Sequence, residues 1–164
     1  MKTKKVVNII AACSTNKVIG IGGKLPWRIE EDFRYFKRMI AGGVYIAGRG
    51  CYEEAGLVCA GDNIVLSRNP HAHFPGAMRA PSLSEAIDKA NQLAGDRDIW
   101  IGGGETVFEE AFPIADRLYL TVVHDVVTGD RFFPDSWNTH FKNLLTSRHS
   151  SDGRYNYTFN VYGK

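Results

Sequence analysis

The sequence predicts a single α/β domain in which a mainly parallel sheet carries helices on both faces. Three observations predict it. Short β-branched runs alternate with helical patterns at distances suited to strand, helix, strand units. The central runs are nearly continuous in apolar character, as strands covered on both faces are. The 164 residues, 44% of them apolar, suffice for one sizeable core and are too few for two comfortable domains, so residues 1–164 are read as one.

In chain order, the first strand is expected at Val6 to Ala12. A helix follows from about Ile29 to Ile40, with Phe33, Phe36 and Met39 or Ile40 turned inward, and Gly42-Gly43 ends it. Val44 to Ala47 is a strand, and a short helix begins near Arg49 and stops by Gly56. Asn63 to Leu66 is the next strand, and His71 to Gly76 is the most loop-like stretch. Ser82 and Glu85 have capping-box spacing, and Leu83, Ala86, Ile87, Ala90 and Leu93 recur on one face of the helix they open. Asp98 to Ile101 is a strand, Thr106 to Ala111 a helix stopped at Pro113, and Arg117 to Val123 a further strand. Gly129 to Asp135 reads as loop. From Tyr155 to Tyr162 apolar and polar residues alternate, which predicts an antiparallel strand at or near the sheet margin.

Composition excludes several classes of function. With 20 Lys plus Arg against 18 Asp plus Glu, the formal charge is +2, which argues for neither nucleic acid nor an anionic membrane as partner. Met1 to Lys5 is basic, but the apolar run after it is short and interrupted by Asn8, Ser14 and Asn16, so a cytoplasmic enzyme is expected rather than a secreted or membrane protein. Cys13, Cys51 and Cys59 lack zinc-site spacing and are read as reduced thiols that only pack. His71, His73, His124, His140 and His149 form no ligand cluster, so no metal is expected. A monomer is the expectation.

Four features carry possible chemistry. Asp32 falls in the first turn of a predicted helix, where it either caps that helix or projects into a cleft to pair with the amidine-like edge of a heterocycle. Gly20-Ile21-Gly22-Gly23-Lys24-Leu25-Pro26-Trp27 is either a loop closing over a cofactor or an ordinary turn anchored by Leu25 and Trp27. Gly48-Arg49 follows a strand and opens a helix, an arrangement that offers backbone donors and a guanidinium to phosphate. Gly102-Gly103-Gly104 repeats that arrangement, without complete Rossmann spacing or a P-loop lysine. Two such turns beside an acid-bearing pocket favour a dinucleotide site over two unrelated tight turns.

At this point the chain resembles a known family. Ile10-Ala11-Ala12, Val18-Ile19-Gly20, Leu25-Pro26-Trp27, Asp32, Phe36-Lys37, Gly48-Arg49, Ile64-Val65-Leu66-Ser67, Gly102 to Gly104, Leu118-Tyr119-Leu120-Thr121, Gly129-Asp130 and Phe133-Pro134-Asp135 follow one another as they do in dihydrofolate reductases. The order and spacing of the pieces, more than any one of them, carry the likeness across nearly the whole chain.

The resemblance implies a three-layer fold, with a twisted, mixed, mainly parallel sheet of eight strands and four flanking helices. It implies NADPH-dependent reduction of 7,8-dihydrofolate, with hydride added at the pteridine C6 and a proton at N5. Asp32 would grip N3 and the 2-amino group, Trp27 and Thr121 would hold a water and polar contacts, and Leu25 would shield the reacting rings. Ile10, Ala11, Phe33, Phe36, Lys37 and Gly102 would complete the substrate side. Ala12, Ile19 and Gly20 match the nicotinamide side, and Gly48, Arg49, Gly50 and Cys51 the helix start near phosphate. Leu66, Ser67 and Arg68 match the adenosine end, and Gly103, Gly104, Glu105, Thr106, Val107 and Phe108 the second glycine turn.

The resemblance also implies a cis Gly-Gly bond in that turn, and the spacing from Phe108 to Tyr119 selects Gly103-Gly104 over Gly102-Gly103. Three departures stand out. Gly102 occupies a place where the family has a bulky apolar wall, which predicts a larger or looser pocket. Cys51 replaces a hydroxyl with a weaker hydrogen-bonding thiol. Gly61-Asp62 stands where an arginine anchors the substrate's glutamate tail, which makes a pterin or other heterocycle lacking that tail the alternative substrate. A non-catalytic folate- or nucleotide-holding protein on the same scaffold is the third reading, disfavoured because Asp32, Trp27, Leu25 and both glycine turns are present.

Overall fold

The computed structural model describes residues 5–164, so most of the basic Met1 to Lys5 opening lies outside the described residues. The elements run β1 (Val7–Ser14), β2 (Val18–Gly20), α1 (Glu30–Ile40), β3 (Val44–Gly48), α2 (Arg49–Ala55), β4 (Asp62–Leu66) and β5 (Met78–Ala80). They continue with α3 (Leu83–Ala94), β6 (Ile99–Ile101), α4 (Glu105–Ala111), β7 (Arg117–Val123), β8 (Arg131–Phe132), α5 (Trp137–His140), β9 (Asn143–Ser151) and β10 (Asn156–Gly163). Eight strands form one sheet in the order β5-β4-β3-β6-β1-β7-β10-β9. The pairs from β5 to β7 are parallel, and those joining β7 to β10 and β10 to β9 are antiparallel.

Each face of the sheet has its own core. On one face Leu83, Ala86, Ala90 and Ala94 of α3 and Phe108 and Ala111 of α4 pack on Ile9, Ile46, Ile64, Ile101 and Leu118. Small residues along α3 let the helix approach the sheet closely, and Ser82 Oγ accepts the Glu85 N–H (3.2 Å) at its start. On the other face Ile40, Tyr35, Phe36 and Met39 of α1 cover Ile10, Tyr45, Ala47 and Trp100. Phe33 departs from expectation. It is 49% exposed, because Asp32 takes the inward position and turns its neighbour out, where the Lys37 ammonium lies 4.9 Å from the ring centroid.

Two other expectations are corrected. Gly129 to Asp135 contains strand β8, which pairs antiparallel with β2 through Val18↔Phe132 and Gly20↔Arg131. A side chain at Gly129 would run into Val18, so the glycine permits that close approach. Cys59 does more than pack: its thiol donates to the Ile40 carbonyl (3.2 Å) at the end of α1. Strand β9, exposed along nearly its whole length, was not anticipated at all.

Glu31 ties α1 to the antiparallel end of the sheet. Its Oε1 accepts from Ser150 Oγ (2.6 Å) on β9 and from the hydroxyl of fully buried Tyr157 (2.7 Å) on β10, and Arg148 pairs with Oε2 (3.1 Å). The Ser150 and Tyr157 hydrogen bonds, helped by Arg148, lower the Glu31 carboxyl to about 2. A carboxyl lowered from 4.5 contributes stability that is complete above pH 4.5 and is lost as pH falls through about 2. Glu31→Ala leaves these donors unpaired at a cost of about 1 to 3 kcal/mol. Thermal melts should show Tm lower by several degrees at pH 7, with the deficit narrowing in acid; an unchanged Tm at pH 7 would contradict the clasp.

Candidate functional site

The site lies at the carboxyl ends of the parallel strands, between α1 and the sheet, as a cavity of about 510 Å³. Brought together on its wall are the predicted Ile10, Ala11, Ala12, Ile19, Leu25, Trp27, Asp32, Phe33, Phe36, Cys51, Gly102, Gly104, Phe108 and Thr121. Strand alternation and register explain the first group. Ala12 pairs with Thr121 across β1 and β7, and Ile10 lies two residues before Ala12 on the same face of β1.

Asp32 is the most deeply buried acid on the cavity wall. It is 9% exposed, faces the cavity, and accepts a hydrogen bond from the Thr121 side chain, itself 2% exposed. Burial pushes its carboxyl up from 3.8 to about 6; the Thr121 hydrogen bond works against that rise, and the Glu31 charge adds to it. Of the two positions open from sequence, the structure places Asp32 facing the cavity.

The glycine-rich segment is a turn, anchored by Trp27 and not by Leu25. Gly22 and Gly23, at φ 56° and 81°, make a two-residue hairpin closed by Ile21 and Lys24. The hairpin is tied to the β8 side by the Gly22 N–H to Asp130 Oδ2 (3.1 Å) and the Asp130 N–H to the Gly20 carbonyl (3.0 Å). Trp27 is buried, its Nε1–H without a partner among the described residues, whereas Leu25 is 49% exposed at the cavity rim. The Leu25 N–H bonds to the Glu54 carboxylate of α2, an acid on the cavity wall that the sequence reading missed. Burial raises the Glu54 carboxyl, against the lowering effects of that hydrogen bond and of Lys24.

The second group of predicted residues forms an edge beside the cavity. The Gly103-Gly104 peptide is cis, the register chosen from the Phe108 spacing. The Gly48 N–H donates to the Gly103 carbonyl (2.7 Å), which binds the two glycine turns side by side. Gly50 follows in α2, and Glu105, Thr106 and Val107 form the first turn of α4 beyond the cis bond. Gly48 pairs with Leu66 across β3 and β4, so Arg49 leaves the sheet next to Ser67 and Arg68. Arg49 is exposed, with Glu53 at 3.5 Å. Gly20 ends β2 behind the hairpin. Lys37 lies outside the cavity, in a neighbouring depression shared with Arg38, Leu57 and Cys59.

Two departures have structural consequences. The pocket is not enlarged at Gly102, contrary to expectation: a Cβ there would overlap the Tyr45 ring and hydroxyl, so Tyr45 fills the volume the glycine vacates. At Gly61 a Cβ would overlap the Gly43 carbonyl, so no side chain fits, and Asp62 is held by Arg97 (2.7 Å). Cys51 sits against Gly103, and burial pushes its thiol up to about 11, so it is uncharged at neutral pH. Among the described residues no cluster of His, Cys, Asp and Glu suits a metal, and no helix is long and apolar enough to cross a membrane.

A dihydrofolate reductase family model matches residues 6–164. Dihydrofolate reductase of Bacillus subtilis is 32% identical over 162 residues, covering 97% of this chain and 95% of the relative. Dihydrofolate reductase type 3 of Salmonella typhimurium is 35% identical over 153 residues, covering 93% of each. Among solved structures, dihydrofolate reductase from Enterococcus faecalis complexed with NADP(H) and RAB-propyl superposes with a TM-score of 0.87 at 28% identity, covering 96% of this chain and 95% of that one.

The raised Asp32 carboxyl makes a stability prediction. A carboxyl whose folded value, about 6, exceeds its unfolded 3.8 contributes stability that is fully present below pH 3.8 and is lost as pH rises through 6. At neutral pH the fold carries a penalty on the order of 2 to 3 kcal/mol for the buried charge. Asp32→Asn should therefore melt several degrees higher than wild type above pH 7, the advantage shrinking toward pH 4. A pH-independent difference would contradict the burial argument.

Proposed function

Because the chain belongs to the dihydrofolate reductase family, we propose that it catalyses NADPH-dependent reduction of 7,8-dihydrofolate to tetrahydrofolate. The observation that carries the reading is the buried Asp32 carboxylate, bonded to Thr121 in a cavity walled mostly by apolar side chains. A carboxylate has two acceptor oxygens, the complement of the N3–H and 2-amino donors of a pteridine, and pairing both fixes the ring in its plane. Ile10, Ala11, Phe33 and Phe36 supply apolar contact to that plane. Trp27 Nε1–H and the Thr121 hydroxyl are the polar groups suited to a water that relays a proton toward N5. With its proton equilibrium near 6, Asp32 keeps a proton within reach of the site at neutral pH, where an ordinary carboxylate keeps almost none. Leu25, at the rim, excludes solvent from the reacting rings when the hairpin segment closes.

The residues fit a phosphorylated dinucleotide. The joined glycine turns bring backbone together without side chains, and the N–H groups of Glu105 to Val107 have no acceptor within α4. Arg49, Ser67 and Arg68 lie where β3 and β4 end side by side, a cationic edge suited to a ribose phosphate. Ala12, Ile19, Gly20 and Gly104 would hold the nicotinamide against the cavity, with Cys51 and Phe108 behind the glycine turn and Leu66 toward the adenosine. When bound, NADPH supplies the hydride.

One observation favours a second reading, a dihydropterin without the acidic tail. The backbone at Gly61 admits no side chain, and Glu30 and Glu54 line the cavity with Arg28, whose guanidinium is already paired with Glu30 (2.8 Å). Among the described residues Arg28 is the one cation lining the cavity, a carboxylate tail would have to compete with Glu30 for it, and Lys37 would reach a tail only from outside.

Comparing kcat/KM for dihydrofolate and for the analogue that keeps the benzoyl ring but lacks glutamate tests this. A well-formed guanidinium contact is worth about 10- to 150-fold. A ratio near unity would make the tail-free substrate the better reading, and a ratio above 100 that survives Lys37→Ala would show an anchor elsewhere. Arg49→Ala should weaken NADPH binding by about tenfold and NADH hardly at all; equal loss for both would remove Arg49 as the phosphate contact.

A further inference from the structure

Tyr45 is the feature of the site that the family reading leaves unused. It sits on β3, is 7% exposed, lines the cavity, and packs edge-on against Phe36 with ring centroids 5.7 Å apart. Its ring is locked between Phe36 and the bare backbone of Gly102, where a Cβ would overlap the hydroxyl oxygen itself. Yet that hydroxyl has no hydrogen-bond partner among the described residues. The hydroxyl oxygen is not one of the fully buried unpaired polar atoms, so it opens onto the cavity, and its partner is to be sought there. Phenylalanine would fill the same volume without offering a hydrogen bond.

The sheet order says what the hydroxyl would meet. Strand β3 lies three strand spacings from β7, which bears Thr121, with β6 and β1 between them. At about 4.8 Å per spacing the Tyr45 backbone is about 14 Å across the sheet from Thr121, and its hydroxyl, lying against Gly102 at the end of β6, is about 10 Å across from it. A fused bicyclic ring gripped at Asp32 and Thr121 therefore turns its far side, with the substituent carried there, toward the phenol. Phe36 and Ala47 beside Tyr45 are apolar and the neighbouring Cys51 thiol hydrogen-bonds weakly, so the phenol is the stronger hydrogen-bonding group on this stretch of wall.

Resting on the reductase reading above, we propose that Tyr45 is a specificity residue whose hydroxyl hydrogen-bonds the first polar atom of the substrate's ring substituent. The substrate class it selects is a dihydropteridine with a hydroxyl or amine one bond from the ring-attached carbon, in preference to a plain alkyl group. Gly102 belongs to the same device, because any side chain there would displace the phenol.

The test compares 6-hydroxymethyl-7,8-dihydropterin with 6-methyl-7,8-dihydropterin under NADPH, in wild type and in Tyr45→Phe. The ratio of kcat/KM for the hydroxymethyl to the methyl compound should fall about 2- to 12-fold in the variant, chiefly through KM. Melting of the substrate-free protein should show Tyr45→Phe as stable as wild type or more so, since no protein hydrogen bond is removed. A ratio unchanged by the substitution overturns the assignment, as does a marked loss of Tm, which would reveal an internal partner. If wild type reduces neither compound nor dihydrofolate, the reductase reading falls and the Tyr45 assignment with it; if wild type reduces both pterins and only the ratio stays fixed, the Tyr45 assignment falls alone.

Discussion

The site depends on one buried charge. Asp32 reaches the cavity because it occupies the inward-facing position of the first turn of α1, under Thr121, where water is largely excluded. Keeping a carboxylate there is unfavourable in itself, so the surrounding structure has to hold it. Residue 31 does this from the next position along the helix. Glu31 turns the opposite way and is held by Ser150, Tyr157 and Arg148 from β9 and β10. Successive acids therefore divide the work, one fastening the helix to the antiparallel end of the sheet and the other facing the cleft.

A second constraint is space at the glycine positions. Gly48 and Gly103 meet through a backbone hydrogen bond, and the cis bond at Gly103-Gly104 turns the chain into α4 beside that contact. Gly102 and Tyr45 exchange volume across the strands β6 and β3, so the cavity keeps its wall while gaining a phenol. Gly61 packs on Gly43, so the loss of a cation there follows from the path of the backbone as well as from the residue change. Pocket shape in this protein is thus set by pairs of positions, not by single substitutions.

That pairing explains what was legible in the sequence. The parallel strands β1, β3, β4, β6 and β7 were readable because strands covered on both faces must be apolar throughout, and α3 because Ser82 caps it and its small residues repeat at helical spacing. Asp32 was readable from its place in the first turn of a predicted helix, the glycine turns from theirs after predicted strands and before helices, and the cis bond only through the family resemblance, with the Phe108 spacing choosing its register. Strand β9 was not, since both its faces meet solvent and Asn143 to Ser151 carry no alternation for burial to impose. Strands β2 and β8 are too short for a period. Phe33 misled because helical spacing admits both it and Asp32 near the inward face, and the acid takes the place. Tyr45 and Glu54 were missed because each acquires its meaning from a neighbour distant in sequence, Gly102 for the first and Leu25 for the second.

The central claim is that the Asp32 carboxyl is the acid through which the bound heterocycle is oriented and protonated. It is tested most directly by single-turnover hydride transfer from NADPH to dihydrofolate across pH, in wild type and Asp32→Asn, with substrate binding measured separately. The wild-type rate should fall on the alkaline side with an inflection near the Asp32 value of about 6, adjusted by bound substrate. The variant should lose that inflection and about 10²- to 10⁴-fold in rate while still binding NADPH. A variant that transfers hydride at the wild-type rate, with the same pH profile, would contradict the account.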